Sequence, residues 1–166
     1  MLYPQKPQTP RQTVLKILSI ESIHHVEMVV GVYALCFTSP SSDHSIREML
    51  RMPGVFGVIG TDRSSDEVVG FAICRLVVDE AEILSIGVPP ERRRLGWGRE
   101  LLSALLTEAR MRGASTAVLE VAECNQPAQS LYRVFGFVRV GRQEDYYESK
   151  EGRRIAADIM RCVLHV

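Results

Sequence analysis

The strongest constraint on the fold is one amphipathic helix that lies between two β-rich runs. Its apolar residues recur at steps of one, three, one and three, the spacing of one helix face: Leu101, Leu102, Leu105, Leu106 and Ala109. Gly113 ends the helix. Ala81–Val88 precedes it and Ala117–Val121 follows it. Because a strand, a crossover helix and a second strand form a parallel pair with a right-handed connection, the sequence predicts a sheet with parallel pairing.

The segments on either side of this unit predict further strands and helices. β-rich runs bounded by turn residues predict strands at Thr13–Ile20, Val55–Ile59, Val68–Val78, Phe137–Val140 and Ile155–Leu164. Helical spacing and capping residues predict helices at Ser22–Cys36, at Asp43–Arg51 and from Asn125 to Gly136. A polar loop at Thr61–Asp66 and a tight turn at Asp79–Glu80 join the middle strands into an antiparallel meander. The predicted fold is therefore α+β, with a mixed central sheet and helices packed on it.

Length and charge limit the organisation and the partners. The chain has 166 residues, and its 20 basic and 20 acidic residues cancel. We expect a disordered tail at residues 1–11, which holds three prolines, and a single domain at residues 12–166. The balanced charge and the absence of a run of about 20 apolar residues argue against nucleic acid or a membrane as partner. The sequence thus predicts a cytoplasmic protein.

Metal chemistry is not indicated. The four cysteines are spread singly, and the four histidines form no helical H-x-x-x-H pair. No spacing typical of a zinc site is present. We therefore expect no metal.

The most informative stretch for function is Val88–Gly98, which joins the strand to the striped helix. Gly96 and Gly98 let a ligand approach the backbone at the helix N-terminus, where amide groups lack internal partners and the helix dipole favours an anion. Arg93 and Arg94 add permanent positive charge. These features predict a pyrophosphate site. The alternative is a solvated arginine loop whose glycines only permit a tight turn.

The same stretch excludes two familiar nucleotide motifs. It has no G-x-x-x-x-G-K followed by Ser or Thr, and no complete G-x-G-x-x-G. The pattern Arg93-x-x-Gly96-x-Gly98 instead resembles the acetyl-CoA pyrophosphate motif of the GNAT N-acetyltransferase superfamily. Further segments resemble its ribosomal-protein-alanine N-acetyltransferase (RimI) branch: Asp79–Val88, Leu119-Glu120-Val121, Asn125, Ala128, Leu131-Tyr132, Gly136-Phe137 and Tyr146-Tyr147.

This resemblance implies a fold and a donor site. The fold would be a GNAT-like sheet of about seven strands with helices on both faces, in which a splayed parallel pair forms the cleft for acetyl-CoA. Acetyl-CoA would be the co-substrate. The implied binding residues are Ile86, Gly87, Val88, Arg93, Arg94, Leu95, Gly96, Trp97, Gly98, Arg99 and Asn125.

The resemblance also implies catalytic residues. Glu120 matches the general base and Tyr132 the general acid that protonates the coenzyme A thiolate, while an amide near Val88 would bind the thioester carbonyl. Glu82, on the neighbouring strand, is a competing base. Glu120 could also be a solvent-facing strand residue, and Tyr132 a packing residue of its helix.

The sequence does not determine the identity of the acceptor amine. The branch usually reads L-E-V-R-x-S-N, whereas this chain has Ala122 and Cys124 in place of the Arg and the Ser. The chain also lacks the branch's Pro-Trp feature after the first helix. We expect an N-terminal protein acetyltransferase that works through a ternary complex. The alternatives are an acetyltransferase of small amines and a non-catalytic acetyl-CoA-binding module.

Overall fold

A mixed sheet of seven strands is central to the part of the chain that this computed structural model describes, residues 15–37, 41–148, 152 and 154–164. The strands are β1 (Leu15–Ser19), β2 (Val55–Asp62), β3 (Val68–Val77), β4 (Glu80–Gly87), β5 (Thr116–Ala122), β6 (Val138–Glu148) and β7 (Arg154–Val163). The helices are α1 (Ile23–Cys36), α2 (Asp43–Arg51), α3 (Trp97–Met111) and α4 (Gln126–Val134), and a short 3-10 turn spans Pro90–Arg92. The predicted tail, residues 1–11, lies outside the described residues.

The strand order confirms the predicted mixed sheet. It is β1-β2-β3-β4-β5-β7-β6. Neighbouring strands are antiparallel except β4 and β5, which are joined through α3 and run parallel. The parallel pair thus forms where the sequence places the crossover helix.

Helices cover both faces of the sheet, as predicted. Successive side chains of a strand point to opposite faces. On β3, Phe71 and Ile73 pack in one core cluster with α1 and α2. Ala72 and Cys74 pack in a second cluster with α3 and α4. The central strand is therefore apolar on both sides.

Side-chain caps explain where three helices begin. Ser22 accepts a hydrogen bond from the amide of His25 before α1, and Ser42 accepts one from the amide of Ser45 before α2. Asn125 accepts one from the amide of Ala128 before α4. Each bond satisfies an amide that has no partner inside its helix. Within the described residues, no helix is long and apolar enough to cross a membrane.

Three predicted strand boundaries are wrong. β6 continues to Glu148, although its second half is polar, because it pairs with β7 as far as Glu148–Arg154. It is an edge strand, where polar residues are tolerated. β2 extends through Asp62, which pairs with Leu15 of β1. The turn between β3 and β4 is Val78-Asp79, one residue before the predicted position.

Val78 gives a test of this turn. Its φ of 58° is a left-handed conformation, which costs a β-branched residue about 1–2 kcal/mol. Its side chain is 91% exposed, so packing does not offset this cost. Val78→Gly should raise the free energy of unfolding by up to about 1 kcal/mol, since glycine's greater chain entropy offsets part of the relief. Urea denaturation measures the change. Val77→Gly, in the adjacent strand position, should lower stability; a loss in both variants would contradict this account.

Candidate functional site

β4 and β5 pair for only three residues and then part. The paired positions run from Glu80–Thr116 to Glu82–Val118, although β4 continues to Gly87 and β5 to Ala122. Leu84 is an extra residue in the pairing of β4 with β3, where Ile73 faces Ser85 and Cys74 faces Ile83. Such a bulge bends its strand. Beyond it, β4 follows β3 while β5 follows β7, and a gap opens between them.

A cavity of about 890 Å³ lies at this gap. Its walls come from the end of α1, the end of β4, the start of α3 and the start of α4. The predicted site residues in its lining are Ile86, Gly87, Val88, Arg93, Arg94, Gly96, Trp97, Gly98, Arg99, Asn125 and Tyr132. The volume is that of a small-molecule or cofactor site.

The backbone at the start of α3 is arranged to receive an anion. Arg94 and Gly96 have φ values of 65° and 83°, and the amides of Arg99 and Glu100 both donate to the Gly96 carbonyl. The amides of residues 94–98 donate to no other residue in the described part of the chain. Unpaired amides at a helix N-terminus attract negative charge. The start of α3 thus offers amide groups that donate to no described residue and can donate to an anionic ligand.

Gly98 has no structural reason to be glycine. A Cβ there would meet only the Leu131 side chain, at 3.6 Å, which is ordinary van der Waals contact. Gly87 differs, because a Cβ there would lie 2.7 Å from the Phe71 ring and 2.9 Å from the Cys36 Sγ. Gly87 therefore serves the protein's own packing, whereas the space at Gly98 belongs to the cavity.

Arg93 connects two walls of the cavity. Its Nε donates to the Val88 carbonyl at 2.9 Å and its Nη2 to the Cys36 carbonyl at 3.0 Å. The guanidinium thus ties the end of α1 to the segment that follows β4. The sequence identified Arg93 as a residue of this cavity but missed its bonds to Cys36, a residue 57 positions away.

Two other predicted donor-site residues, Leu95 and Trp97, differ in position. Leu95 is 60% exposed and is not among the described residues that line the cavity. Trp97 is buried, with the Arg92 guanidinium 5.8 Å from its ring centre. Trp97 therefore anchors the start of α3 in the core.

Tyr132 and Glu120 lie on opposite faces of the sheet. Tyr132 is 6% exposed in the core cluster of α3 and α4, packs against Phe137 and lines the large cavity. Glu120 points the other way, because Leu119 and Val121 beside it are buried in that cluster. It lines a second cavity of about 160 Å³ together with Glu82. Both candidate bases therefore face one space beside the gap.

Sequence reasoning missed several residues of the large cavity. They are Cys36, Phe37, Arg92, Pro127, Ala128 and Leu131. Ala128 and Leu131 follow Asn125 at helical spacing, so the spacing of α4 could have found them. Cys36 and Phe37 come from the far end of α1, and only the tertiary structure brings them here.

Cys36 is buried in the cavity wall. Its Sγ donates to the Val32 carbonyl at 3.2 Å. Burial raises the pKa of the Cys36 thiol to about 11, and the nearby Arg93 charge opposes this only in part. The thiol is therefore neutral near pH 7 and a poor nucleophile.

Comparison with known proteins identifies the family. The model of the acetyltransferase (GNAT) family matches residues 26–137, which include β4, α3, β5 and α4. The chain belongs to the GNAT acetyltransferase family. It is an N-acetyltransferase, and the predicted family resemblance is confirmed.

Named relatives of this GNAT enzyme act on a ribosomal protein. The [ribosomal protein bS18]-alanine N-acetyltransferase of Haemophilus ducreyi is 37% identical over 99 residues, 60% of this chain and 68% of that protein. The protein of the same name from Haemophilus influenzae is 37% identical over 100 residues, with the same coverage. The crystal structure of the ribosomal-protein-S18-alanine N-acetyltransferase from Escherichia coli has a TM-score of 0.83 and 28% identity, covering 92% of this chain and 96% of that one.

The bonds of Arg93 in this GNAT enzyme give a prediction about stability. Arg93→Ala should lower the free energy of unfolding by about 1–2 kcal/mol, because two carbonyls lose a charged donor. Arg94→Ala is the matched control, since Arg94 is exposed and has no such bonds in the described part of the chain. Thermal and chemical denaturation measure both. Equal effects in the two variants would show that Arg93 does not hold the cavity walls together.

Proposed function

We propose that this enzyme transfers the acetyl group of acetyl-CoA to the N-terminal α-amine of a protein, within a ternary complex. The observation that carries the proposal is the row of amides at residues 94–98, which have no acceptor in the described part of the chain and belong to a segment that lines the large cavity beside the gap between β4 and β5. These amides and the strand edge at the gap lie next to each other, which supports one ligand that uses both. The donor has both a pyrophosphate and an amide-bearing arm that fit them.

The pyrophosphate of acetyl-CoA would bind at the N-terminus of α3. The amides of residues 94–98 would donate to its oxygens, and the bare backbone at Gly98 allows close approach. Arg94 and Arg99 line the same cavity and add positive charge. Asn125 lies at the start of α4, where it would contact the same arm of the cofactor.

The pantetheine arm would lie along the end of β4. The residues Ile86–Val88 line the cavity, and β4 has no pairing with β5 beyond Glu82 in the described part of the chain. The unpaired backbone groups of β4 can therefore hydrogen-bond the amides of the arm, as an added strand would. The amide of Val88 is the proposed donor to the thioester carbonyl, where negative charge develops during the reaction.

Glu120 would act as the general base toward the amine, and Tyr132 as the general acid toward the thiolate. An α-amino group has a pKa of about 7.7–8.0 in water, so its deprotonation near neutral pH needs only a modest base. Glu120, directly or through a water, would first take a proton from the ammonium, and the lone pair that this frees on the nitrogen then bonds to the thioester carbon. The carbon–sulfur bond breaks as the carbonyl re-forms, Tyr132 donates its hydroxyl proton to the leaving thiolate, and the nitrogen loses its second proton to solvent. The positions of the two residues on opposite sides of the gap suit these separate roles.

The neutral thiol of Cys36 favours direct transfer of the acetyl group to the amine. An acetyl-enzyme intermediate needs an activated nucleophile. Cys36 lines the cavity, but burial raises its pKa to about 11. Its neutral thiol is a poor nucleophile, so we favour a ternary complex over a covalent intermediate.

The protein acceptor is supported by the relatives rather than by a bound peptide. The relatives named above are alanine N-acetyltransferases of a ribosomal protein, and the family-model match includes the proposed catalytic residues. We therefore propose a protein N-terminus with a small first residue as the acceptor.

Tyr132→Phe tests the acid role. Removing only the hydroxyl should lower kcat on the order of 10²-fold while acetyl-CoA affinity changes little, because the ring still fills its place beside Phe137. Steady-state kinetics and titration calorimetry with acetyl-CoA measure the two effects. Wild-type turnover in the variant would remove Tyr132 from this role.

The function itself is tested by product identification. The protein is incubated with labelled acetyl-CoA and a mixed panel of peptides and small amines, and products are identified by mass spectrometry. We expect peptides acetylated at the α-amine. Acetylated small amines alone, or no product, would contradict the proposal. Gly98→Val, which places a larger side chain at a cavity-lining position, is the matched variant and should lose both acetyl-CoA binding and product.

A further inference from the structure

The two cavities beside the gap have opposite charge. Four arginines line the large cavity, and no acidic residue does so among the described residues: Arg92, Arg93, Arg94 and Arg99. Arg92 is ion-paired with Glu67 and Asp62, so the charge of the cavity comes from the other three. Glu82 and Glu120 line the small cavity, which has no basic residue in its described lining. The whole chain is neutral, so this separation is local. An anionic ligand is favoured on one side of the gap and a cationic ligand on the other.

Glu82 and Glu120 flank the point where the strands part. Glu82 occupies the last paired position of β4, opposite Val118, and Glu120 is the next residue of β5 on the same face. Both side chains are exposed. Within the described part of the chain, neither forms a hydrogen bond or an ion pair. The two carboxylates therefore present unpaired negative charge at the gap.

Among the described residues, no ion pair joins these two carboxylates to a charged neighbour. Arg75 lies opposite Glu82 on β3, yet no ion pair forms between them, and its buried Nε has no hydrogen-bond partner in the described residues. Arg161 of β7 is opposite Val118 but is bound to Glu80. Tyr146 of β6 also lines the small cavity. Glu80, two residues before Glu82 on the same face, differs from Glu82 because it forms an ion pair with Arg161.

We propose that Glu82 binds the acceptor's ammonium group where β4 and β5 part and positions it beside Glu120, which takes the proton. This inference rests on the proposed function, because it assigns the small cavity to the acceptor. Glu82 and Glu120 are then partners and not alternative bases. The acceptor class is a primary ammonium, such as a protein N-terminus, that arrives protonated. A carboxylate that only holds the ammonium affects binding, whereas the base affects the chemical step.

Binding is measured without turnover. Wild-type protein saturated with coenzyme A, which has no acetyl group to give, is titrated in a calorimeter with a short peptide that begins with alanine and has an amidated C-terminus. Glu82→Gln should weaken this binding about tenfold, the size of a lost hydrogen bond to a charged group. Glu82→Asp should recover most of it. Glu48→Gln is the matched control, since it removes one exposed carboxylate from α2 that is in the described lining of neither cavity, and it should change affinity less than twofold.

Kinetics separate binding from chemistry. Glu82→Gln should raise the KM for the peptide about tenfold and leave kcat within threefold, whereas Glu120→Gln should lower kcat. Raised salt should weaken peptide binding more in the wild type than in Glu82→Gln. Unchanged affinity in Glu82→Gln, an equal loss in Glu48→Gln, or a fall in kcat of Glu82→Gln without a change in KM would each overturn the inference. So would a wild type that does not bind the peptide.

The outcomes also distinguish this inference from the proposed function. A wild type that binds the peptide through Glu82 but acetylates no peptide contradicts the proposed function alone. A wild type that acetylates peptides as well as Glu82→Gln does contradicts this inference alone. Because Glu82 is exposed, its variants should keep the wild-type melting temperature, which circular dichroism checks.

Discussion

The separation of β4 from β5 is the constraint on which the site depends. A parallel pair that continued to the ends of both strands would satisfy their backbone groups and leave no gap. Here each strand keeps its outer neighbour, β3 or β7, while the bulge at Leu84 bends β4 away after three paired positions. The unpaired edge lies next to the start of α3, so one backbone feature supplies both the cavity and the partners for a cofactor's arm.

The loop after β4 holds the walls of this gap in position. Arg94 and Gly96 hold left-handed conformations, and both residues line the cavity. Such a backbone is costly for a residue other than glycine, and it persists where the surrounding structure fixes it. Arg93 supplies part of that fixation through its bonds to Val88 and Cys36, and Trp97 supplies more by its burial. The backbone at the start of α3 is therefore held in a fixed shape, and a preformed site of this kind lowers the entropy cost of binding the proposed anion.

Charge is distributed to match the two substrates of an acetyl transfer. The donor carries phosphates and the acceptor arrives as an ammonium, and the cavities on the two sides of the gap are lined by arginines and by glutamates respectively. Other acidic side chains in the described part of the sheet are paired, as Glu80 is with Arg161 and Asp158 is with Arg139. Glu82 and Glu120 differ from these carboxylates, and they lie where the acceptor would enter.

The sequence by itself determined most of the elements and which residues at the start of α3 line the large cavity. The spacing of Leu101–Ala109, the capping residues and the glycines at 96 and 98 act over a few residues, so their local consequences could be predicted, and the structure shows the helix and the cavity lining. The extension of β6 could not be predicted, because a polar strand forms only when β7 pairs with it.

The tertiary structure alone decided how distant residues meet. It brings the end of α1 to Arg93, although the two are 57 positions apart. It also places Glu82 and Glu120 in one cavity, and Tyr132 on the other face of the sheet. Periodicity shows which face of its own element a side chain occupies, but the strand register and the bulge at Leu84 determine which elements share a cavity, and both arise only when the sheet assembles.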